Sequence, residues 1–315
     1  MPWFLGIDGG GSKTTCLLGD ERAVLASATA AGSNPIRVGE ERSRQALHAA
    51  ISQACASAKI QPAQLTRTCI GMAGAARPQI EKQVRALLAE VVGGQIEVAG
   101  DMVIALEAAF RGAPGLVVIA GTGSIAYGRN ERGETARAGG WGFAISDEGS
   151  GHWIGRAAVA AAMRAHDLGA SSLLVSSIMN TWHLGSRDDV VRAANAIPPP
   201  DFAELFPQVL AAAAGGDSRA SEILTHAATE LAQLARIVAD RLWHGRQAFR
   251  VATAGGVFQN AALVRQIFSN SLRSLHPQAE IDAKVVEPAQ GALWLARKNE
   301  YSGVWGQQNP PTPGY

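Results

Sequence analysis

The sequence predicts an α/β protein with two similar lobes and mixed sheets. The first observation is a repeated design, in which an apolar strand ends in a turn of glycine and hydroxyl residues and a second β-prone run follows. One copy spans residues 4–18 and the other spans residues 116–127. The second observation is that helices and strands alternate after each copy. A length of 315 residues suits about two domains, and the cleft between two such lobes is the expected ligand site.

The first lobe is predicted over residues 1–112. Turn residues separate three β-prone runs up to residue 30, which predicts a meander. A helix over 40–58 follows, with Leu47 and Ile51 on one face. Strands over 67–72 and 95–99 then alternate with helices over 79–88 and 102–110. The run Gly112-Ala113-Pro114-Gly115 marks the boundary.

The second lobe is predicted over residues 113–287. It begins with three strands up to residue 138, followed by a glycine-rich stretch at 139–151 and an apolar helix at 152–166. Residues 170–245 are expected to form a helical insert. A strand over 250–254, a helix near 260–272, a strand over 280–286 and a last helix near 289–297 complete the pattern. The proline-rich end, 300–315, is expected to be a flexible tail.

Composition excludes several classes of function. A net charge of +1 argues against a nucleic-acid partner. No apolar window reaches the roughly 20 residues needed to span a bilayer, and the N-terminus lacks the features of a signal peptide. We therefore expect a cytoplasmic protein without a membrane partner. Three widely spaced cysteines, Cys16, Cys55 and Cys69, suggest reduced thiols rather than disulfides or a metal site.

The first glycine turn carries the strongest functional signal. It fits neither a Walker A loop, because Ser12 separates Gly11 from Lys13, nor a dinucleotide fingerprint, because no helix follows. A β-hairpin phosphate loop remains, with Asp8 near the Mg²⁺ of a bound nucleotide and Gly10, Gly11, Ser12 and Lys13 around its phosphates. A tight hairpin that needs glycine for its backbone is the alternative.

The second turn makes phosphate binding the better interpretation. Gly121, Thr122, Gly123 and Ser124 repeat the arrangement of small and hydroxyl residues. Backbone N–H groups at such turns approach anions closely, and hydroxyl groups add donors. Two turns, one in each half of the chain, could contact a polyphosphate from both sides.

Four further segments each allow two interpretations. Asp101 follows a strand, where a carboxylate can act as a general base, but aspartate is also a common helix N-cap. The segment 141–151 could bind a polyol and direct N–H groups at an anion, or cap the next helix through Ser146 or Asp147. The segment 32–35 suits an Asx turn. Gly255 and Gly256 could let a flat base lie on the backbone, or could serve helix–strand packing.

Taken in order, these motifs resemble the BadF/BadG/BcrA/BcrD ATPase family, and within it the N-acetylglucosamine kinases. The resemblance covers about residues 3–297. Its more specific segments are Gly139-Gly140-Trp141-Gly142 and Asp147-Glu148-Gly149-Ser150, whereas glycine turns are common to the actin and hexokinase superfamily.

The resemblance implies a duplicated ribonuclease-H-like fold of the actin/hexokinase type, which closes over ATP with Mg²⁺ and a sugar. It implies that a final helix at 288–299 packs back on the first lobe. Asp101 matches the base that deprotonates the sugar 6-hydroxyl, and Asn34, Gly140 and Asp147 match sugar-contacting positions. ATP-contacting positions are matched at Asp8, Gly10, Gly11, Ser12, Lys13, Thr14, Gly121, Thr122, Gly123, Ser124, Gly255 and Gly256.

The resemblance leaves the sugar open. Two positions that are polar in the animal enzymes are Ala73 and Ile125 here. N-acetylglucosamine is the expected acceptor, with glucosamine and N-acetylmuramic acid as alternatives, and a homodimer is possible. Rivals of another class are an ATPase that activates a partner enzyme through an iron–sulfur cluster and a sugar sensor without catalysis. The absence of any cysteine after Cys69 argues against the first, and the absence of a zinc-binding cysteine cluster argues against the second.

Overall fold

Two sheets with the same strand order form the framework of the protein. The structure is a computed structural model, and it describes residues 1–244 and 247–298. The predicted tail at 300–315, and the predicted ends of the insert (245) and of the last helix (299), lie outside these residues. The described strands are Phe4–Gly9 (β1), Lys13–Gly19 (β2), Val24–Ala31 (β3), Arg67–Gly71 (β4), Gln95–Ala99 (β5), Gly115–Ala120 (β6), Ser124–Arg129 (β7), Thr135–Gly139 (β8), Phe249–Ala254 (β9) and Ala279–Val286 (β10).

The helices lie between and after these strands. Single-turn 3₁₀ helices at Pro62–Gln64 and Phe202–Leu205 are not numbered. The described α-helices are Pro35–Val38 (α1), Glu40–Ser57 (α2), Pro78–Ala89 (α3), Asp101–Phe110 (α4), Gly151–Asp167 (α5), Leu173–Thr181 (α6), Arg187–Ala194 (α7), Phe206–Ala214 (α8), Ser218–Trp243 (α9), Gly256–Asn260 (α10), Ala262–Leu275 (α11) and Pro288–Arg297 (α12).

The predicted duplication is confirmed by the strand order. Within the described residues, one five-stranded sheet has the order β3-β2-β1-β4-β5 and the other has the equivalent order β8-β7-β6-β9-β10. In the first sheet β1, β2 and β3 pair antiparallel, while β4 and β5 run parallel to β1 and to each other. The sheet is therefore mixed, as the alternation of meander and helix–strand units predicts.

Two details differ from the sequence prediction. The helix expected near 260–272 is α11, and a short helix that was not predicted, α10, precedes it and is separated from it by the extended backbone of Ala261. A short helix, α1, follows the predicted turn at 32–35 because Pro35 fixes a helical φ at its first position. The helices α6 to α9 lie in the stretch for which the sequence predicts only helices.

The chain divides into two compact units. Unit 1 contains Met1–Val117, Tyr127–Ala136 and the described residues from Val286 onward, and unit 2 contains Val118–Ala126 and Arg137–Val285. The lobe limits predicted from the sequence, 1–112 with 288–299 and 113–287, stay predictions. No helix in the described part of the chain is long and apolar enough to cross a membrane.

In unit 1, helices cover both faces of the first sheet. Leu5, Ile7 and Leu18 of the sheet are buried with Leu47 and Ile51 of α2, the face that the sequence predicts. On the opposite face α12 packs against β1 and α4. Gly6 makes this approach possible, because a Cβ there would lie 2.2 Å from the backbone nitrogen of Leu293.

In unit 2, the long helix α9 packs against α11, α5 and α8. Its buried face includes Leu231, Ala235 and Val238, spaced three or four residues apart. Asp217 caps its N-terminus by accepting hydrogen bonds from the backbone N–H groups of Arg219 and Ala220.

Candidate active site

The carboxyl ends of three parallel strands meet at one edge of the first sheet. The register aligns Asp8 of β1 with Gly71 of β4, and Gly71 with Ala99 of β5. Asp101 follows β5 after a single residue, Gly100, so it lies at the same edge as Asp8. Ligands of α/β sheets bind outside this edge, and unit 1 thus brings together the two carboxylates that the sequence analysis singles out.

The first glycine turn connects β1 to β2 at that edge. The N–H group of Gly10 donates to the carbonyl oxygen of Lys13 at 3.0 Å, which closes a tight hairpin. Ser12 and the Lys13 side chain are exposed, whereas Thr14 is fully buried. The Thr14 hydroxyl is 2.7 Å from the carbonyl oxygen of Ala31, to which it donates, and 2.8 Å from the Ser33 hydroxyl. Thr14 therefore stabilises the turn from inside, and its predicted contact with ATP stays a prediction.

Asn34 lies beside the first turn. The Gly10 carbonyl oxygen accepts hydrogen bonds from the N–H groups of Ser33 and Asn34. The buried Asn34 side chain accepts from Ile36 N–H at 3.0 Å, which is the predicted Asx turn, and donates to the Ala73 carbonyl oxygen at 3.1 Å. Asn34 therefore joins the first turn to the loop after β4. Its contact with a sugar stays a prediction.

Asp101 is the first residue of α4 and not its N-cap. The cap residue is Gly100, and the Asp101 carboxylate accepts a hydrogen bond from the neighbouring Met102 N–H at 2.9 Å. The N-cap interpretation is therefore wrong, because the helix already includes Asp101. A carboxylate in the first helical turn is favoured by the helix dipole. Asp101 remains partly exposed at the edge of the sheet, as contact with a substrate would require.

Burial and neighbouring carboxylates raise the pKa of Asp8 to about 7. The largest cause is desolvation, followed by the charges of Asp101 and Glu287, and Lys13 opposes them. Glu287 is the residue before α12, and the sequence analysis missed it. The sequence did offer a signal for Glu287, because it is an acidic residue that follows the last strand, β10, and precedes the last helix, α12.

The chemistry at Asp8 fits a divalent cation. Three carboxylates repel one another there, so a bound cation would favour the charged form of Asp8. Oxygen donors are also the ligands that Mg²⁺ prefers. Within residues 1–244 and 247–298, however, no group of three His, Cys, Asp or Glu side chains is arranged to hold a metal ion alone. Such a site would depend on water and nucleotide oxygens for its other ligands, as magnesium sites at phosphates do.

The second glycine turn connects β6 to β7 in unit 2. Gly121 N–H donates to the Gly123 carbonyl oxygen at 2.9 Å, and the Gly121 carbonyl oxygen accepts from Gly151 N–H at 2.8 Å. Thr122 O accepts from His152 N–H at 3.3 Å. The start of α5 thus donates to the turn itself. The expectation that N–H groups of the segment 141–151 point at an anion is wrong for Gly151.

Ser150 caps α5, and Asp147 has another role. The Ser150 hydroxyl accepts from Trp153 N–H at 3.2 Å, so the prediction that Ser146 or Asp147 caps this helix is wrong. Asp147 is buried, and its carboxylate accepts from Ser124 N–H at 3.3 Å. The segment Asp147-Glu148-Gly149-Ser150 therefore stabilises the second turn through hydrogen bonds to Ser124. The predicted sugar contact of Asp147 is not tested by these bonds.

Gly140 and Gly255 flank the second turn. Gly140 has a φ of +69°, is exposed and lies against the side chain of Ile125. Gly255 has a φ of +95°, and a Cβ there would lie 2.5 Å from the Ala120 carbonyl oxygen. Gly256 begins α10. Unit 2 thus groups the predicted residues at 121–124, 140, 147, 255 and 256 around one turn.

The family follows from a comparison of the whole chain. The model of the BadF/BadG/BcrA/BcrD ATPase family matches residues 5–296. The chain belongs to the BadF/BadG/BcrA/BcrD ATPase family. The resemblance inferred from the glycine and acidic segments is therefore confirmed.

Sequence relatives and a solved structure match nearly the whole length of the chain. An N-acetylmuramic acid/N-acetylglucosamine kinase of Clostridium acetobutylicum is 33% identical over 94% of this chain and 99% of its own. An N-acetyl-D-glucosamine kinase of Dictyostelium discoideum is 29% identical over 93% of this chain and 97% of its own. The structure of a protein of Chromobacterium violaceum assigned as an N-acetylglucosamine kinase has a TM-score of 0.76 at 28% identity, covering 95% and 99% of the two chains. These matches confirm the predicted α/β class, the duplicated ribonuclease-H-like fold.

Proposed function

We propose that the protein is an ATP-dependent kinase that phosphorylates the 6-hydroxyl of an amino sugar, with N-acetylglucosamine as the expected acceptor. The observation that carries the proposal is the edge of the first sheet, where Asp101, Asp8 and the Gly10–Lys13 turn lie together. The named relatives over nearly the full chain support a sugar acceptor. Glucosamine and N-acetylmuramic acid remain the alternative acceptors.

Asp101 is proposed as the general base. A partly exposed carboxylate at a strand end can accept the proton of a sugar hydroxyl as that oxygen attacks the γ-phosphorus of ATP. The backbone N–H of Met102 donates to one oxygen of the Asp101 carboxylate at 2.9 Å, which helps to fix its orientation at the start of α4. Phosphoryl transfer requires little covalent work from the protein beyond positioning and charge neutralisation.

The phosphates of ATP are proposed to bind at the two glycine turns. In unit 1 the donors are Gly11, Ser12 and the Lys13 side chain, since Gly10 N–H closes the hairpin. In unit 2 they are the N–H groups of Thr122 and Gly123, because Gly121 N–H donates to the Gly123 carbonyl oxygen and Ser124 N–H donates to Asp147. Mg²⁺, held near Asp8, would neutralise charge on the transferred group. Gly255 and Gly256 are proposed for the adenosine side.

Asn34, Gly140 and Asp147 are proposed to contact the sugar. Asn34 and Ala73 are joined by a hydrogen bond in unit 1, and Gly140 touches Ile125 in unit 2. Ala73 and Ile125, the two positions where this chain lacks a polar side chain, thus each adjoin a proposed sugar-contacting residue. We expect this lack of polarity to change which sugar is preferred, while the transfer chemistry stays the same.

The first experiment is a coupled ADP-release assay with Mg-ATP and each of N-acetylglucosamine, glucosamine, N-acetylmuramic acid, N-acetylmannosamine and glucose. Turnover that depends on one amino sugar supports the proposal and identifies the acceptor. ADP release that is independent of every sugar would contradict it and favour an ATPase that acts on a partner protein. Sugar binding without ADP release would favour a sensor.

Asp101→Asn tests the base directly. We expect kcat to fall by at least about a hundredfold, because the acceptor hydroxyl loses its proton acceptor. The Kd of the sugar, measured by calorimetry, should change little, since asparagine keeps the shape of the side chain. Asp167→Asn, an exposed change at the end of α5, is the matched control and should keep full activity. Normal turnover of Asp101→Asn would remove Asp101 from the mechanism.

The remaining predictions about the whole protein are also proposals. We propose a homodimer in the cytoplasm, and two lobes at 1–112 with the last helix and 113–287. Support for the last-helix assignment comes from α12, which packs on β1 and α4 within unit 1. In the described residues of the helical insert, 170–244, no feature identifies a dimer face.

A further inference from the structure

An exposed segment between β8 and α5, residues 140–146, is termed the apolar loop. Three of its large side chains are 63%, 44% and 77% exposed, in the order Trp141, Phe143 and Ile145. The Ile145 N–H donates to the Gly142 carbonyl oxygen at 3.1 Å, so this backbone hydrogen bond closes within the loop itself. A segment with so much exposed surface needs contacts from its side chains to keep one position.

The Phe143 ring of the apolar loop packs on His152. The centroids of the two rings are 5.0 Å apart, and their planes are inclined by 45°. His152 is the second residue of α5 and is only 5% exposed. Its backbone N–H donates to the Thr122 carbonyl oxygen of the second glycine turn at 3.3 Å. An exposed side chain of the loop therefore rests on a ring whose own position is fixed.

The same imidazole ring contacts the helical insert on its other side. The Phe202 ring lies edge-on to His152, at a centroid distance of 5.2 Å and an angle of 75°. Phe202 is itself 6% exposed and meets Trp182 at 5.6 Å. Edge-to-face contacts of this kind are favourable for aromatic rings. A continuous row of four rings thus runs from the apolar loop to the insert, with His152 in its interior.

The other contact of the loop that involves a ring is more exposed. The Arg137 guanidinium lies 4.1 Å from the centroid of the Trp141 ring, but that ring is 63% exposed. Cation–π contacts are weak where water reaches both partners. The contact of Phe143 with the buried His152 ring is therefore the better anchor for the loop.

We propose that His152 is a positioning residue, whose ring holds the apolar loop in the position that binds the sugar. This inference rests on the proposed kinase function, in which Gly140 of the loop and the adjacent Asp147 contact the acceptor. A loop that samples other positions binds the sugar more weakly, in proportion to the time it spends away from the competent one. His152 acts through Phe143 and takes no part in the transfer of phosphate.

The expected effect is confined to the acceptor. An aromatic pair contributes a factor of about 2–10 to an equilibrium, and His152 makes two such contacts. We therefore expect His152→Ala to raise the KM for the sugar about tenfold. The kcat should stay within about twofold of the wild type, because saturating sugar restores the competent position of the loop. The KM for ATP should not change.

Hydrogen exchange of the full chain without any ligand tests the anchor directly. The amide of Ile145, which is bonded to Gly142 within the loop, should exchange at least about threefold faster in His152→Ala than in the wild type. His226→Ala is the matched control. His226 makes a ring contact with Trp153 of α5 at 5.1 Å, and neither residue belongs to the loop. This control should change neither the exchange rate nor the KM for the sugar.

Kinetics with the acceptor found in the ADP-release assay test the consequence for binding. Phe143→Ala should reproduce the rise in KM and should fold normally, since Phe143 is 44% exposed. Combining it with His152→Ala should add little, because both changes remove the same contact. His152→Phe keeps a ring in place and should restore the KM. Ile145→Ala, at the most exposed of the three large side chains, is the control within the loop.

Three results would overturn the role of His152. One is unchanged exchange at Ile145 in folded His152→Ala and in Phe143→Ala. Another is a fall in kcat with an unchanged KM for the sugar, and the third is a His152→Phe variant that behaves like His152→Ala. A wild type that phosphorylates no sugar would contradict the proposed function alone, since the exchange measurement decides without turnover whether His152 holds the loop.

Discussion

Substitution of Gly255 by alanine should disturb the second glycine turn, because Gly255 packs against the backbone of Ala120 and Gly121. Gly255 has φ 95° and ψ 164°, a conformation that is essentially limited to glycine, and forcing alanine into it costs about 1–3 kcal/mol. The added Cβ would also lie 2.5 Å from the Ala120 carbonyl oxygen and 2.9 Å from Gly121 N. These are backbone atoms that cannot rotate away, so relief of the overlap costs about another 1–3 kcal/mol. The expected loss of unfolding free energy is about 2–6 kcal/mol.

Thermal melting and nucleotide kinetics measure the two consequences. A loss of this size lowers Tm by about 3–9 °C in a protein of 315 residues. Because Gly121 belongs to the turn proposed for phosphate binding, the KM for ATP should rise about tenfold in material that is still folded at assay temperature, equivalent to about 1.4 kcal/mol. Gly256→Ala is the control for the melting measurement, since the nearest atom to its added Cβ is 3.9 Å away. Equal Tm values for the two variants would refute the argument.

Two further predictions concern buried charge in unit 1. Burial raises the pKa of Glu97 from 4.5 to about 7 despite the nearby positive charges of Arg67 and Arg85, so the folded protein favours the protonated carboxyl and its stability falls as the pH rises from about 4.5 to about 7. After solvent screening, the loss of unfolding free energy is about 1–2 kcal/mol. In urea titrations Glu97→Gln should flatten this part of the pH profile, and an unchanged slope would contradict the prediction. Glu107 and Arg129 form a buried ion pair at 2.7 Å. Arg129→Met should lower the unfolding free energy by about 3–5 kcal/mol because it leaves a buried carboxylate uncompensated, and adding Glu107→Leu should restore stability in chemical denaturation. A double variant that is no more stable than Arg129→Met would contradict this account.

The duplicated fold was predictable from local pattern. The alternation of polar turns and β-prone runs gave both meanders, and the buried face of α2 follows from the spacing of Leu47 and Ile51. Strand order followed because a repeated sequence pattern implies a repeated topology. The short helix α10 was not predicted, because Gly255 and Gly256 indicate a turn at the point where it begins.

The candidate site was predictable in its residue types and less so in their roles. Asp8 and Asp101 lie at the ends of parallel strands, which pattern alone indicates. Asp147 and Ser150 could not be assigned, because two acceptors close in sequence compete for the same helix start and only packing decides between them. Glu287 was missed because its closeness to Asp8 depends on α12 packing across β1.

The proposed phosphoryl transfer is better supported by the sequence than the identity of the sugar acceptor, because the two ligands are recognised in different ways. A phosphate is recognised by backbone N–H groups and a few small residues, so short contiguous segments determine the site and remain visible in the sequence. A sugar is recognised by isolated side chains, and here Asn34 and Asp147 both also bond to backbone N–H groups of their own unit. Each of these residues therefore has a structural reason to be polar whether or not it binds a sugar. Ala73 and Ile125 offer no side-chain polar group that could identify the acceptor. For this reason the choice of sugar must come from comparative turnover, whereas the transfer of phosphate can be argued from the two turns and the carboxylates at the sheet edge.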